Sequence, residues 1–139
     1  MLFRSILDRL ATPLAGLLAA AASGSLAGLA APRWAPGAAV TVVLAAEGYP
    51  GAPARGDHIT GLSDAERTAG AYVLHAGTQL DGAGQLVSAG GRVLNVVGTG
   101  PDLAAARTAA YQAAGKITMR GGWFRTDIAE WAAAQAARG

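Results

Sequence analysis

No cysteine occurs in the 139 residues, which excludes disulfides, thiolate metal sites and a cysteine nucleophile. Histidine is nearly as scarce, and His58 and His75 alone are too few for a histidine metal cage. Lysine occurs once, at Lys116, outside any glycine-rich turn, so no lysine-bearing phosphate loop is present. Charged residues reach only 14%, well below the usual quarter, and the formal net charge is +2. The arginines stand singly along the chain, so no basic run follows a nucleic-acid backbone. Low charge beside 52% hydrophobic residues also excludes a disordered chain. Almost half of those apolar residues are alanine, so the core is thinner than the percentage suggests. The length suits one domain that folds without staples.

Between Arg9 and Arg33 there is no charge at all. Two basic residues, an apolar run and Ala-Ala-Ala-Ser-Gly have the outline of a secretory leader cleaved near Ala22. The run is also long enough for a bilayer span. Gly16, Gly24, Gly28, Ser23 and Ser25 dilute it, and Ser23-Gly24-Ser25 reads as a helix stop. Leu7, Leu10, Leu14, Leu17 and Leu18 share one stripe, which predicts an amphipathic helix over Ile6–Ala22. Met1 to Ser5 fit neither the stripe nor a cap and read as a foreign junction.

Pro32, Pro36 and Gly37 mark a linker, and the character then changes. Val40–Ala46 is a β-branched run of strand length with no polar alternation, a buried strand. It should stop at a turn with Pro50 at the second position and Gly51 at positive φ. Asp57–Leu62 predicts a short edge strand, and Ser63 to Glu66 has capping-box spacing for a brief helix. Ala71–Ala76 is a second strand. Gln79–Leu80 and Gln85–Val87 flank Asp81-Gly82-Ala83-Gly84, a hairpin signal. Gly91–Val97 is the last strand, and Pro101-Asp102 opens a helix with Leu103, Ala106, Ala110, Tyr111 and Ala114 on one side. Asp127 is placed to cap a terminal helix reaching about Ala137. The pattern is α+β: an antiparallel β module flanked by helices.

Catalytic groupings are thin. Gly98-Thr99-Gly100 lacks the third glycine of a dinucleotide loop and has no parallel unit to hold it, so it reads as a helix entry. Asp57 and His58 are strand neighbours and face opposite ways. His75 ends a strand and meets Ala76-Gly77-Thr78, where it serves either as a satisfied structural histidine or as a ligand contact.

Read together, the loops carry a resemblance. "VTVVLAAEGYPG" from Val40 to Gly51 is followed by Arg55-Gly56-Asp57-x-Ile59-x-Gly61-Leu62. His75-Ala76-Gly77-Thr78, Gly90-Gly91-Arg92-Val93-Leu94-Asn95-Val96 and Gly122-x-x-Arg125-x-Asp127-Ile128 come next in order. From Ile6 to Trp131 the chain resembles the carboxy-terminal region of the phosphoribosylamine–glycine ligase family. His58 stands where an aliphatic residue is usual, and Ala129 where glycine is common.

The resemblance implies a fragment of an ATP-grasp carbon–nitrogen ligase, with the hybrid-motif-like carboxy-terminal domain of that fold. Such a cytoplasmic enzyme of purine synthesis uses ATP to make a glycyl phosphate, which 5-phosphoribosylamine attacks to give glycinamide ribonucleotide. Residues 1–31 would end an ATP-grasp domain, 32–38 link, and 39–139 form the carboxy-terminal β-rich domain. ATP and Mg2+ or Mn2+ are expected in upstream lobes of the intact enzyme, together with glycine. No catalytic or metal-binding residue is expected in this chain, which would be inactive alone, and neither nucleic acid nor membrane is an expected partner. Its expected contribution is a substrate-side wall. Arg92, following Gly90-Gly91, suits a two-pronged grip on the ribose 5-phosphate. Gly91, Asn95, His75, Thr78, Glu47, Gly48 and Tyr49 complete the candidates. Arg92 and Asn95 are three apart and face opposite sides unless a bulge intervenes. The competing reading is a non-catalytic β module, secreted or not, that binds a small ligand or partner without turnover.

Overall fold

The computed structural model of the chain describes residues 3–136. The elements run α1 (Phe3–Arg9), α2 (Leu14–Ala22), β1 (Ala38–Ala45), β2 (Ile59–Thr60), α3 (Leu62–Glu66) and β3 (Ala71–His75). They continue as β4 (Thr78–Leu80), β5 (Leu86–Ser88), β6 (Arg92–Gly100), α4 (Leu103–Ala114), β7 (Thr118–Met119) and α5 (Glu130–Ala136). The main sheet is antiparallel in the order β1–β6–β3, with two-stranded ribbons β2–β7 and β4–β5 beside it. This is the α+β architecture expected from the order of elements.

The β-branched runs form the sheet, and their alternation sorts its faces. Val40, Val42 and Leu44 of β1 and Leu94 and Val96 of β6 point to one side, where the small residues Ala106, Ala110 and Ala113 of α4 complete the core. Alanine on α4 and glycine on β6 let helix and sheet approach closely. A Cβ on Gly98 would fall on the Ala106 carbonyl, and one on Gly100 would lie 2.8 Å from the Ala106 nitrogen. Gly98 and Gly100 therefore serve close packing rather than a nucleotide. Asp102 caps α4, its carboxylate accepting from the Ala105 N–H at 2.8 Å.

The opposite face carries Thr41, Val97 and Tyr72, aligned across the three strands. Helix α1 lies against β1 and is tied to β3, where the Tyr72 hydroxyl donates to Asp8 Oδ1 at 2.7 Å. Burial pushes the Tyr72 hydroxyl up to about 12, and the hydrogen bond to Asp8 and its negative charge add to the effect.

Four local expectations are corrected. The helix expected over Ile6–Ala22 is two helices, because Pro13 lacks an N–H and disfavours helix at Thr12. Leu10 leaves the helix to bridge Trp34, so the linker is pinned to residues 9–12, and Leu18 on the supposed core stripe is 61% exposed. Ser63 does not cap α3; Gly61, in the left-handed region, is its N-cap. Asp127 does not cap α5, since its carboxylate is held by Arg125. In the turn after β1 the positive φ falls on Gly48 rather than Gly51, with Tyr49-Pro50 cis. Gly48 must be glycine there, as a Cβ would strike the Ala52 carbonyl. The stop at Ser23 agrees with the expectation, and Met1, Leu2 and the expected helix end at Ala137 lie outside the described residues. Among the described residues no helix is long and apolar enough to cross a membrane.

Candidate functional site

The topology gathers the candidate loops at one end of the main sheet. β1 and β3 run toward that end and β6 starts from it, so Glu47-Gly48-Tyr49, Gly91-Arg92 and Ala76-Gly77-Thr78 converge. Gly77 is held on β6 by its N–H to the Arg92 carbonyl at 2.9 Å, and a side chain on Gly77 would strike Gly90. Gly91 is likewise required, because a Cβ there would fall on the Tyr49 ring. The ring therefore lies directly against the backbone beside Arg92.

A bulge decides where Arg92 stands. Leu44 pairs with Leu94 but Ala45 pairs with Arg92, leaving Val93 as the extra residue of β6. One extra residue reverses the alternation, so Arg92 and Asn95 share a sheet face instead of opposing one another. Their β1 partners, Ala45 and Val43, both line a cavity of about 470 Å³. Arg92 and Tyr49 line it as well. Asn95 is 3% exposed and stays beneath, packed within the sheet.

The remaining candidates sit at the sheet end but outside the cavity lining. His75 Nδ1 and Thr78 Oγ1 are 3.0 Å apart and satisfy each other. Glu47 lies against Gly121, whose Cβ would come within 2.6 Å of Glu47 Oε2.

Two cavity residues, Trp123 and Arg125, fall outside the candidates chosen from sequence. Trp123 exchanges two backbone bonds with Ala45, at 2.8 and 3.0 Å, and its indole N–H donates to the Ala46 carbonyl at 3.3 Å. Arg125 makes a two-pronged pair with Asp127, which holds that carboxyl below the usual range and raises the guanidinium in turn. α4 fixes this segment in place. The Tyr111 hydroxyl donates to the Arg125 carbonyl at 2.6 Å, and Arg107 reaches the carbonyls of Thr126 and Ile128 at 2.7 and 3.0 Å. Only the Gly122-x-x-Arg125-x-Asp127 spacing signalled it.

These groups suit recognition of a ligand that is part apolar and part anionic. The cavity is mostly apolar, with two guanidiniums and two aromatic rings. Among the described residues no three acidic or histidine side chains converge on a site that could hold a metal ion by itself. The Lys116 ammonium is committed to Thr68 Oγ1 at 2.7 Å and the Asp64 carbonyl at 3.2 Å.

A small antiparallel α+β unit whose loops meet at one sheet end is the type of domain that closes ATP-grasp ligases at their carboxy-terminal side. The family model for the phosphoribosylglycinamide synthetase C domain matches residues 39–131, and the chain belongs to that family. It is 56% identical over 130 residues to the phosphoribosylamine–glycine ligase of Streptomyces coelicolor, covering 92% of this chain and 31% of that one. The Caulobacter vibrioides ligase is 47% identical over 95% of this chain and 30% of its own length. The crystal structure of the Thermotoga maritima phosphoribosylamine–glycine ligase superposes with a TM-score of 0.60 at 38% identity, over 76% of this chain and 26% of that one. The chain thus spans about three-tenths of the length of the curated relatives it matches.

Proposed function

We propose that this chain forms the substrate-side wall of a phosphoribosylamine–glycine ligase, a cytoplasmic enzyme that joins glycine to 5-phosphoribosylamine at the expense of ATP. The observation that carries the reading is the Val93 bulge, which turns Arg92 toward the cavity beside Tyr49. The planar Arg92 guanidinium has the two-pronged geometry that matches the oxygens of a ribose 5-phosphate. Gly91 keeps the approach open and seats the Tyr49 ring next to it. Asn95, His75, Thr78, Glu47 and Gly48 shape the surrounding loops. ATP and its divalent ion fall to the parts of the relatives that this chain does not cover.

In the intact ligase, Arg92→Ala should remove a charge-assisted bond of about 1.5–3 kcal/mol, a roughly ten- to hundredfold loss in kcat/KM. The loss should fall on phosphoribosylamine and spare the KM values for ATP and glycine. Arg92→Lys should restore only part, because an ammonium lacks the two-pronged geometry. Equal losses for all three substrates with a lowered Tm would make Arg92 structural and sink the assignment.

A further inference from the structure

β1 is an edge strand whose outer side is left unfinished. Along it, even-numbered residues direct their backbone toward β6, as the Ala46 N–H bond to the Gly91 carbonyl shows. Odd-numbered residues point outward, and Ala45 uses both outward groups on Trp123. The ladder then stops, because Phe124 and the residues after it peel off toward α4, held there by Tyr111 and Arg107. Ala39, Thr41 and Val43 therefore present outward N–H and C=O groups with no backbone partner on that side among the described residues. The cavity runs along these three residues. One wall is apolar, made by Leu103, Ile128 and Ala129, and Ser5 of α1 stands at the other.

A row of outward backbone donors and acceptors in an apolar trough is a template for one more strand. The trough lies between Ser5 of α1 on one side and Arg125, Ile128 and Ala129 on the other, a width that suits one strand laid along β1. Its occupant is then a single extended segment. We infer that, in the intact ligase, an extended segment from the portion of the relatives this chain lacks adds to the outer edge of β1 at Ala39–Val43. This rests on the ligase reading above, and on the seven-tenths of each relative's length that lies outside the match. The segment needs about five residues, roughly 14–17 Å of strand, with alternate apolar side chains toward Leu103 and Ile128. Trp123 blocks its extension past Ala45, so the chain must turn out there, which sets its next residues beside Arg92 and Tyr49. The added strand would thereby complete the same site from the other side.

The test compares amide hydrogen exchange in two proteins: the 139-residue chain, and the Streptomyces coelicolor ligase with its matching region replaced by this chain. The inward amides of Val40 and Val42 should be protected in both and report an intact sheet. The outward amides of Ala39, Thr41 and Val43 should exchange about a hundredfold more slowly in the chimera than in the chain. Thr41→Pro deletes one outward N–H and leaves the β6 ladder whole, so it should return Ala39 and Val43 to within about tenfold of their rates in the chain. An active chimera whose outward amides exchange as in the chain overturns the added strand and leaves the ligase reading standing. An inactive chimera with those amides protected does the reverse, and an inactive, unprotected one removes both. Protection of the outward amides in the chain itself would also overturn the inference, since the edge would already be closed.

Discussion

Ala129 has φ +58, the one non-glycine residue at positive φ among those described. It was also a departure visible in the motif, where glycine is common. The two facts explain each other, since an L side chain in the left-handed region costs about 1–2 kcal/mol. Glycine would give back about 0.4–1 kcal/mol through its looser unfolded chain. Ala129→Gly should therefore stabilise the chain by about 0.5–1 kcal/mol, read as a higher urea midpoint at unchanged slope. A lower midpoint would mean that the methyl group's packing along the cavity outweighs the strain. At this scale the sequence was legible where a residue's own chemistry sufficed, as with the Asp102 cap. It was silent on Val93 as a bulge, because a bulge is defined by pairing with β1 and leaves no mark on its own strand.

Among the elements, the strands of the main sheet and α4 were readable because β-branched runs and alanine faces state their period directly, whereas the two-residue β7 carries no such pattern. The amino-terminal helix was not, since its leucine stripe crosses Pro13 without a break in spacing while the backbone cannot follow. One tie of α1 to the sheet is a contact 64 residues apart in sequence, Tyr72 to Asp8. No local pattern announces such a bond. It does predict a pH response. An unfolded tyrosine ionises near 10 and Tyr72 near 12, so the stabilisation is complete below pH 10 and is lost as pH rises through 12. Chemical unfolding from pH 9 to 12 should show the parent protein losing stability more steeply above pH 10 than Tyr72→Phe, which keeps the ring and lacks the ionisable group. Parallel curves for the two proteins would show that the hydroxyl does not tether α1.

For the whole molecule, the class of protein was legible because five motifs fall in one order, and four of them meet at one end of the sheet or along the cavity. The division of labour among them was not, because it depends on which loops face the cavity and which face each other. His75 and Thr78 are equally prominent in the motifs as Arg92, yet they pair together outside the lining. What the described residues bring together is a mostly apolar cavity with the Arg92 and Arg125 side chains in its lining. Among the described residues no three acidic or histidine side chains cluster, and the one lysine spends its ammonium on Thr68 and the Asp64 carbonyl. Phosphoryl transfer depends on positioning and neutralising phosphate charge, which needs both. The purified 139-residue chain should accordingly release no phosphate from ATP and form no glycinamide ribonucleotide when given glycine, phosphoribosylamine, ATP and Mg2+. The same mixture should turn over once the chain is joined in frame to the remaining seven-tenths of a relative. ATP-dependent product from the chain alone would place the activating site here, and the wall assigned to Arg92 would have to be redrawn as an active site.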